Sequence, residues 1–215
     1  MPATFPSHQG LIAPLWRRWP ESFNVLALCI GAGVPDAVDG IAGIFRGHLG
    51  QWYGHSLLGL FLLGVPLGLV LTWLTLQFGR GLSALAGPDA ARAPRLARIA
   101  DGIRRLNGMS VHDSRLGRLL FVSCSVWIGA FSHLAFDLVS HGKFIWLMPW
   151  YENHRCFPDW WYARWWEVPL LGYRSPYPVG PHVLVWIFLS ILGIVLLCRP
   201  PGRNQGTPHR PDQDG

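Results

Sequence analysis

The sequence predicts an all-α, polytopic helical membrane protein with about four to five membrane-embedded helices, counting the two arms of an N-terminal helical hairpin. Three observations carry this. Half of the 215 residues are apolar and only 14% are charged, against roughly 25% charged in an ordinary soluble domain. Three apolar runs reach or approach the length that crosses hydrocarbon. The 12 Trp residues suit a chain that meets the membrane–water interface, where Trp and Tyr gather.

The elements follow in chain order. An apolar piece, His8 to Trp16, is followed by Arg17-Arg18-Trp19-Pro20, which reads as a turn. Phe23 to Val34 then provides about 18 Å of helix before Pro35 stops it. Too short to cross alone, these two pieces are expected to form a hairpin that enters the bilayer and turns back, or leans on the other helices. Its antiparallel arms would bring His8 near Asp36. Ser56 to Phe78 carries no charge and is long enough to cross about 30 Å of hydrocarbon, with a kink expected at Pro66 and Gly68. Gly79 to Arg118 holds eight Arg and three Asp. It reads as a cytoplasmic loop with a short surface helix around Ala90 to Leu106. Leu119 to Ser140 is the second span, although it carries His133 and Asp137. Gly142 to Pro181 places eight Trp and Tyr rings between Trp146 and Trp166 and reads as an aromatic lid at the outer interface. His182 to Cys198 is the third span, at the short end of the range. Residues 1–198 are thus expected to form a single helical membrane domain without internal repeats. The Pro- and Gly-rich residues 199–215 read as a disordered tail.

Charge sets the orientation. The net charge of +6 is concentrated in loops between apolar spans, which fits the positive-inside rule and argues against a nucleic-acid partner. Gly79 to Arg118 and the tail go inside. His8, Asp36, Asp39, His55, Asp137 and His141 then gather toward the outer face. The four cysteines are far apart with no CxxC pair, which argues against a thiolate zinc site. Met1 to Leu15 lacks a basic leader region, and its apolar stretch is broken by Pro14, so no cleavable signal peptide is expected. The expected partners are membrane lipids; the sequence sets no oligomeric state.

The strongest motif is Ser132-His133-Leu134-Ala135-Phe136-Asp137-Leu138-Val139-Ser140-His141. His133, Asp137 and His141 stand at i, i+4 and i+8 and share one stripe of a helix, drifting by about 40° per step. An ionised carboxylate near the centre of a span costs at least about 2.5–3.5 kcal/mol, so it persists only when paired, wetted or bound to a cation. Imidazole and carboxylate are apt ligands for zinc, iron or manganese. The competing readings are an internal polar pair that ties helices together and a proton relay. Val34-Pro35-Asp36-Ala37-Val38-Asp39-Gly40 puts two carboxylates at the end of an apolar helix; turn chemistry explains one of them well and two less well. Tyr53-Gly54-His55-Ser56 and Ser7-His8 complete the candidates. There, Ser56 is also a plausible helix cap and His8 is a weak signal alone.

Ser7-His8, Pro35-Asp36, Gly54-His55-Ser56 and Ser132-His133 through Asp137 to His141 occur in an order that resembles a bacterial membrane family described as domain of unknown function 4184. Gly54 to Leu69 is especially similar, and the resemblance covers roughly Met1 to Trp150. That family is similar in pattern to predicted membrane-bound metal-dependent hydrolases, and more distantly to zinc-dependent phospholipase C. The resemblance implies a multi-pass protein of the bacterial inner (cell) membrane. It also implies a divalent transition metal, zinc foremost with manganese and iron as alternatives, and hydrolysis of ester or phosphoester substrates, lipid-linked ones among them. The expected ligands are His8, Asp36, His55, His133, Asp137 and His141. Asp39 is expected as the catalytic base, with ligand and orienting roles as alternatives. A non-catalytic protein that conducts metal ions or protons, and a structural membrane protein, are the competing functions.

Cysteine substitutions test the orientation. Arg98→Cys should resist a membrane-impermeant thiol reagent added to intact cells, whereas Tyr162→Cys should react; the reverse pattern moves the site to the cytoplasmic face.

Overall fold

The computed structural model describes residues 4–47, 51–87, 93–107, 114–140, 145–150, 157–168 and 177–198. Three helices open the chain: α1 (Thr4–Arg18), α2 (Val25–Gly31) and α3 (Val34–Arg46). A 3₁₀ turn, Tyr53–His55, leads into α4 (Leu57–Gly59), which continues through a π-helical turn, Leu60–Gly64, into α5 (Val65–Ala86). α6 (Pro94–Asn107) and α7 (Arg115–Ser140) follow. After a second 3₁₀ turn, Asp159–Tyr162, strands β1 (Trp166–Val168) and β2 (Tyr177–Val179) pair antiparallel, with Trp166 opposite Val179. α8 (Pro181–Cys198) ends the described chain.

Among the described residues, two helices are long and apolar enough to cross a membrane, Leu57–Ala86 and Arg115–Val139, with a third crossing if α2 and α3, bent by 45° at their junction, make one broken span. This corrects the expectation of four to five membrane-embedded helices with an N-terminal hairpin. α1 contains Pro14 and carries His8, Gln9, Arg17 and Arg18, so it lacks a spanning apolar run. It lies chiefly along α8 rather than against α2, and an Arg17 Nη2 donates to the Leu196 carbonyl. The apolar part of α8, Pro181–Leu196, gives about 24 Å of helix, short of the roughly 30 Å of hydrocarbon.

Local chemistry explains the helix ends. Asn24 caps α2 by accepting from the Ala27 N–H at 2.9 Å, while its own N–H donates to Ser125 Oγ of α7 at 2.9 Å. At the π turn the Val65 N–H reaches back to the Leu60 carbonyl. That wider turn accommodates Pro66, which has no N–H to offer. The end of α7 is closed by the aromatic segment: Trp161 Nε1 donates to the Val139 carbonyl at 2.7 Å and Tyr162 to the Leu138 carbonyl at 3.1 Å. Carbonyls in the last turn of a helix have no partner within it, so these rings satisfy groups that would otherwise be orphaned.

Two buried apolar clusters hold the helices together. Ile12, Leu28 and Ala32 join α1 to the end of α2. Leu60, Ala130 and Leu134 join the π turn to α7, with Trp127, Phe131 and Trp146 packed around them. The outer faces of both long helices stay apolar and exposed, through Phe61, Leu62 and Trp73 on one and Leu116, Leu119 and Leu120 on the other. α2 crosses α7 at backbone contact. A Cβ at Gly31 would sit 2.2 Å from the Val126 carbonyl oxygen, and one at Gly129 would sit 2.2 Å from that of Leu28. Small residues permit this approach.

Gly129→Val should therefore force α2 off α7 and lower the melting temperature of the detergent-solubilised protein, at a cost above the usual 1–3 kcal/mol of overpacking, estimated roughly, because a backbone oxygen cannot yield. Gly102→Ala, where nothing lies within 4 Å, should leave the melting temperature unchanged or raise it. Equal melting of Gly129→Val and wild type would overturn the close crossing.

Candidate metal centre

Three helices and one turn deliver the site. α7 supplies His133 and Asp137, one turn apart on the same face and 1% and 2% exposed. α3 supplies Asp36 in its first turn, where the helix N-terminus favours a carboxylate, and Asp39 one turn later on the same side. The Tyr53–His55 turn presents His55, and α1 presents His8. Ser56 fixes the exit from that turn: its Oγ accepts from the Gly59 N–H at 2.9 Å and donates to the Tyr53 carbonyl at 2.8 Å. Gly54 is required for another reason. A Cβ there would lie 2.5 Å from both Asp39 Oδ1 and the Pro35 carbonyl oxygen.

Asp39 is fully engaged. Its Oδ2 accepts from the Trp52 N–H at 2.6 Å and from His55 Nδ1 at 2.7 Å, and its Oδ1 accepts from the Gly54 N–H at 2.7 Å. His55 Nδ1 faces a carboxylate, so it carries the proton, and Nε2 of the neutral ring is then an acceptor. The same logic holds for His133, whose Nδ1 donates to the Ala32 carbonyl at 2.8 Å. The close α2–α7 crossing is what brings that carbonyl within reach. Two acceptor nitrogens, His55 Nε2 and His133 Nε2, are thus held 3.3 Å apart.

Two carboxylate oxygens stand beside them. His55 Nε2 lies 3.3 Å from Asp36 Oδ1 and 3.2 Å from Asp137 Oδ2. His133 Nε2 lies 3.8 Å from Asp36 Oδ1 and 3.6 Å from Asp137 Oδ2. Zinc bound at about 2.0–2.1 Å by nitrogen and oxygen ligands in a tetrahedron needs donor separations of about 3.3–3.4 Å. The donor set fits that requirement in type and nearly in spacing. The His8 ring stacks on His133 with centroids 3.7 Å apart and meets the edge of Phe136 at 5.1 Å. Two groups therefore have ligand atoms lying mutually within 4.8 Å, His8 with His133 and Asp137, and Asp36 with His55 and His133. They share His133 and can coordinate a divalent metal.

Burial opposes a charge on His55, but the carboxylates of Asp137, Asp36 and Asp39, which accept hydrogen bonds from the ring, outweigh it and hold the imidazole pKa well above its ordinary 6.5. The pocket attracts positive charge, whether a proton or an ion.

Of the residues singled out in the sequence, the structure brings His8, Asp36, His55, His133 and Asp137 together. Asp39 stands behind His55 rather than facing the centre. His141 lies outside the described residues. Two contributors carry no sequence signal: the Ala32 carbonyl, which is backbone, and Gln51, whose Nε2 donates to Asp137 Oδ2 at 3.1 Å. Gln51 stands four residues before His55 in a stretch without periodicity, and nothing marks it out.

The family model described as Domain of unknown function (DUF4184) matches residues 1–197, and the chain belongs to that family. Among curated proteins and among solved structures, nothing matches the chain.

In chelator-treated protein, the His55 imidazole should titrate well above 6.5, and Asp39→Asn should bring that titration down. Histidine ring signals followed by NMR through a pH series decide this. Because a proton must leave His55 before an ion can take its place, metal affinity should rise with pH through the same range.

Proposed function

We propose that this member of the family is a membrane-embedded metalloprotein that hydrolyses ester or phosphoester bonds in lipid or lipid-linked substrates. The observation that carries the reading is the pair of imidazole Nε2 atoms, both acceptors when the rings are neutral, set against each other and two carboxylate oxygens. Four acceptors without a cation repel one another. His55, His133, Asp36 and Asp137 would hold the ion, and His8 stands beside them as a further ligand. His141 is proposed as a further ligand from its i+8 spacing after His133 in the sequence. Zinc suits nitrogen and oxygen donors at this spacing best, with manganese and iron as alternatives.

When bound, a divalent ion supplies Lewis-acid polarisation of the scissile oxygen and lowers the pKa of water to about 7. The protein does the rest. Asp39 is a positioning residue: it fixes the tautomer and ring orientation of His55, as carboxylates behind metal-binding imidazoles do. With both oxygens occupied it is poorly placed to take a proton from water, so the orienting role is favoured over the catalytic base first expected of it. Gln51 holds Asp137. The Asp36 side chain is 21% exposed, against 4% or less for the His55, His133 and Asp137 side chains. Water and substrate therefore approach on the Asp36 side.

Location supports a lipid substrate. The cluster lies beside the start of one long apolar helix and the end of the other, and the Leu57 N–H donates to the Trp146 carbonyl at 2.9 Å, which ties it to the aromatic segment. The Arg-rich α6 is contiguous with the opposite ends of both helices. The positive-inside rule then supports a site at the outer face of the bacterial cell membrane.

Purified protein should contain about one equivalent of a transition metal, and Asp137→Ala and His55→Ala should lose it together with hydrolysis of phosphatidyl or p-nitrophenyl phosphoesters. Asp39→Asn should weaken metal affinity by about 10–100-fold while the fold survives. Bound metal without hydrolysis, accompanied by metal or proton flux in liposomes, would sink the hydrolase in favour of conduction. Protein that takes up no metal would reduce the cluster to a polar tie between helices.

A further inference from the structure

A cavity lies toward the other end of the long helix pair. Val70, Trp73 and Leu76 of α5 and Leu119 and Val122 of α7 line a cavity of about 440 Å³, which Arg118 and Asn107 also border. α5 runs away from the His/Asp cluster and α7 runs toward it, so Leu76 and Arg118 both mark the end of the cavity remote from the cluster. Arg80 follows Leu76 by one turn and Arg115 precedes Arg118 by one turn, and all three arginines are exposed. Among the described residues no carboxylate lines the cavity. The nearby acid of α6, Asp101, is engaged by Arg104. The walls are otherwise apolar: Val70, Trp73 and Leu119 are 52%, 57% and 53% exposed, and the Thr72 hydroxyl is turned to the Gly68 carbonyl at 2.7 Å.

We infer that this groove binds an anionic phospholipid, with one acyl chain along α5 and α7 and the phosphate on Arg118. The walls argue for a chain, because an open apolar groove between two helices long enough to cross a membrane matches an acyl chain laid along them. The end chemistry argues for an anionic headgroup. A guanidinium fork matches phosphate oxygens, and Arg80 and Arg115 add a field that the cation of a zwitterionic headgroup opposes. Basic pockets between membrane helices on the cytoplasmic side hold anionic lipid headgroups by this combination. A soluble phosphate would use the arginines and leave the slot unused, so the lipid is the occupant that satisfies both parts. This site is separate from the His/Asp cluster and does not depend on its chemistry.

Native mass spectrometry of the full chain in detergent micelles, offered phosphatidylglycerol or phosphatidylcholine with identical acyl chains, tests the inference. Wild type should retain phosphatidylglycerol about fivefold more than phosphatidylcholine. Arg118→Gln should bring that ratio toward one. Val122→Trp, which fills the slot, should lower retention of both lipids. Arg98→Gln, on α6 outside the groove, should leave the ratio alone, and excess glycerol phosphate should not displace the lipid. Circular dichroism of each variant should match wild type. Equal retention of the two lipids by wild type overturns the proposal. So does an Arg98→Gln effect as large as that of Arg118→Gln, retention unaffected by Val122→Trp, or displacement by glycerol phosphate.

Discussion

His55 Nε2 and His133 Nε2 face each other at 3.3 Å because the opposite nitrogen of each ring is committed elsewhere. His55 is held by a carboxylate and His133 by a backbone carbonyl. Each contact is ordinary alone. Together they remove every neutral arrangement in which one imidazole donates to the other. Asp36 and Asp137 then add acceptors to acceptors. A buried carboxylate is already expensive in a chain of this apolarity, and a group of them persists only around positive charge. The proposed metal follows from that electrostatic constraint more than from any one residue.

The rest of the molecule reads as the means of holding this arrangement. The backbone contact of α2 with α7 at Gly31 and Gly129 sets the Ala32 carbonyl against His133. The Gly54 position lets the chain pass within contact of Asp39, so that two backbone N–H groups and one imidazole saturate a single carboxylate. Ser56 ends that turn and starts the next helix in one hydrogen-bonded step. Gly31, Gly54 and Gly129 leave little slack: each sits where a methyl group would collide with backbone or with the Asp39 carboxylate. Such saturation also separates the roles of the two α3 acids. Asp36 faces the centre and solvent, and Asp39 faces the ring behind it.

The two ends of the long helices differ in chemistry. One end carries the His/Asp cluster and an aromatic segment whose Trp161 and Tyr162 close the last turn of α7. The other carries arginines, an amphipathic α6 packed on α5, and an apolar slot that ends at Arg118. In the proposed membrane reading, each end meets a different part of the bilayer. The proposed chemistry on a lipid at one end and anchorage by a lipid at the other are compatible with one pair of helices long enough to span it.

The sequence by itself determined the helical class and the two long apolar helices, and it singled out His8, Asp36, His55, His133 and Asp137, which the fold brings together. These are local quantities: run length, charge and the i, i+4 spacing of His133 and Asp137. It also marked α6 to within a few residues, as a short surface helix in the Arg-rich stretch. It overcounted the embedded helices, because short apolar pieces such as Phe23 to Val34 and His182 to Cys198 look alike whether they cross a bilayer or pack on a neighbour. Which piece α1 would choose as a partner was not encoded in its own periodicity; contact with α8 decided it. The direction of Asp39, the Ala32 carbonyl and Gln51 were decided only by tertiary structure. A side chain's type states what it can bind, but whether it faces an ion or the back of another ligand depends on backbone positions contributed by distant segments.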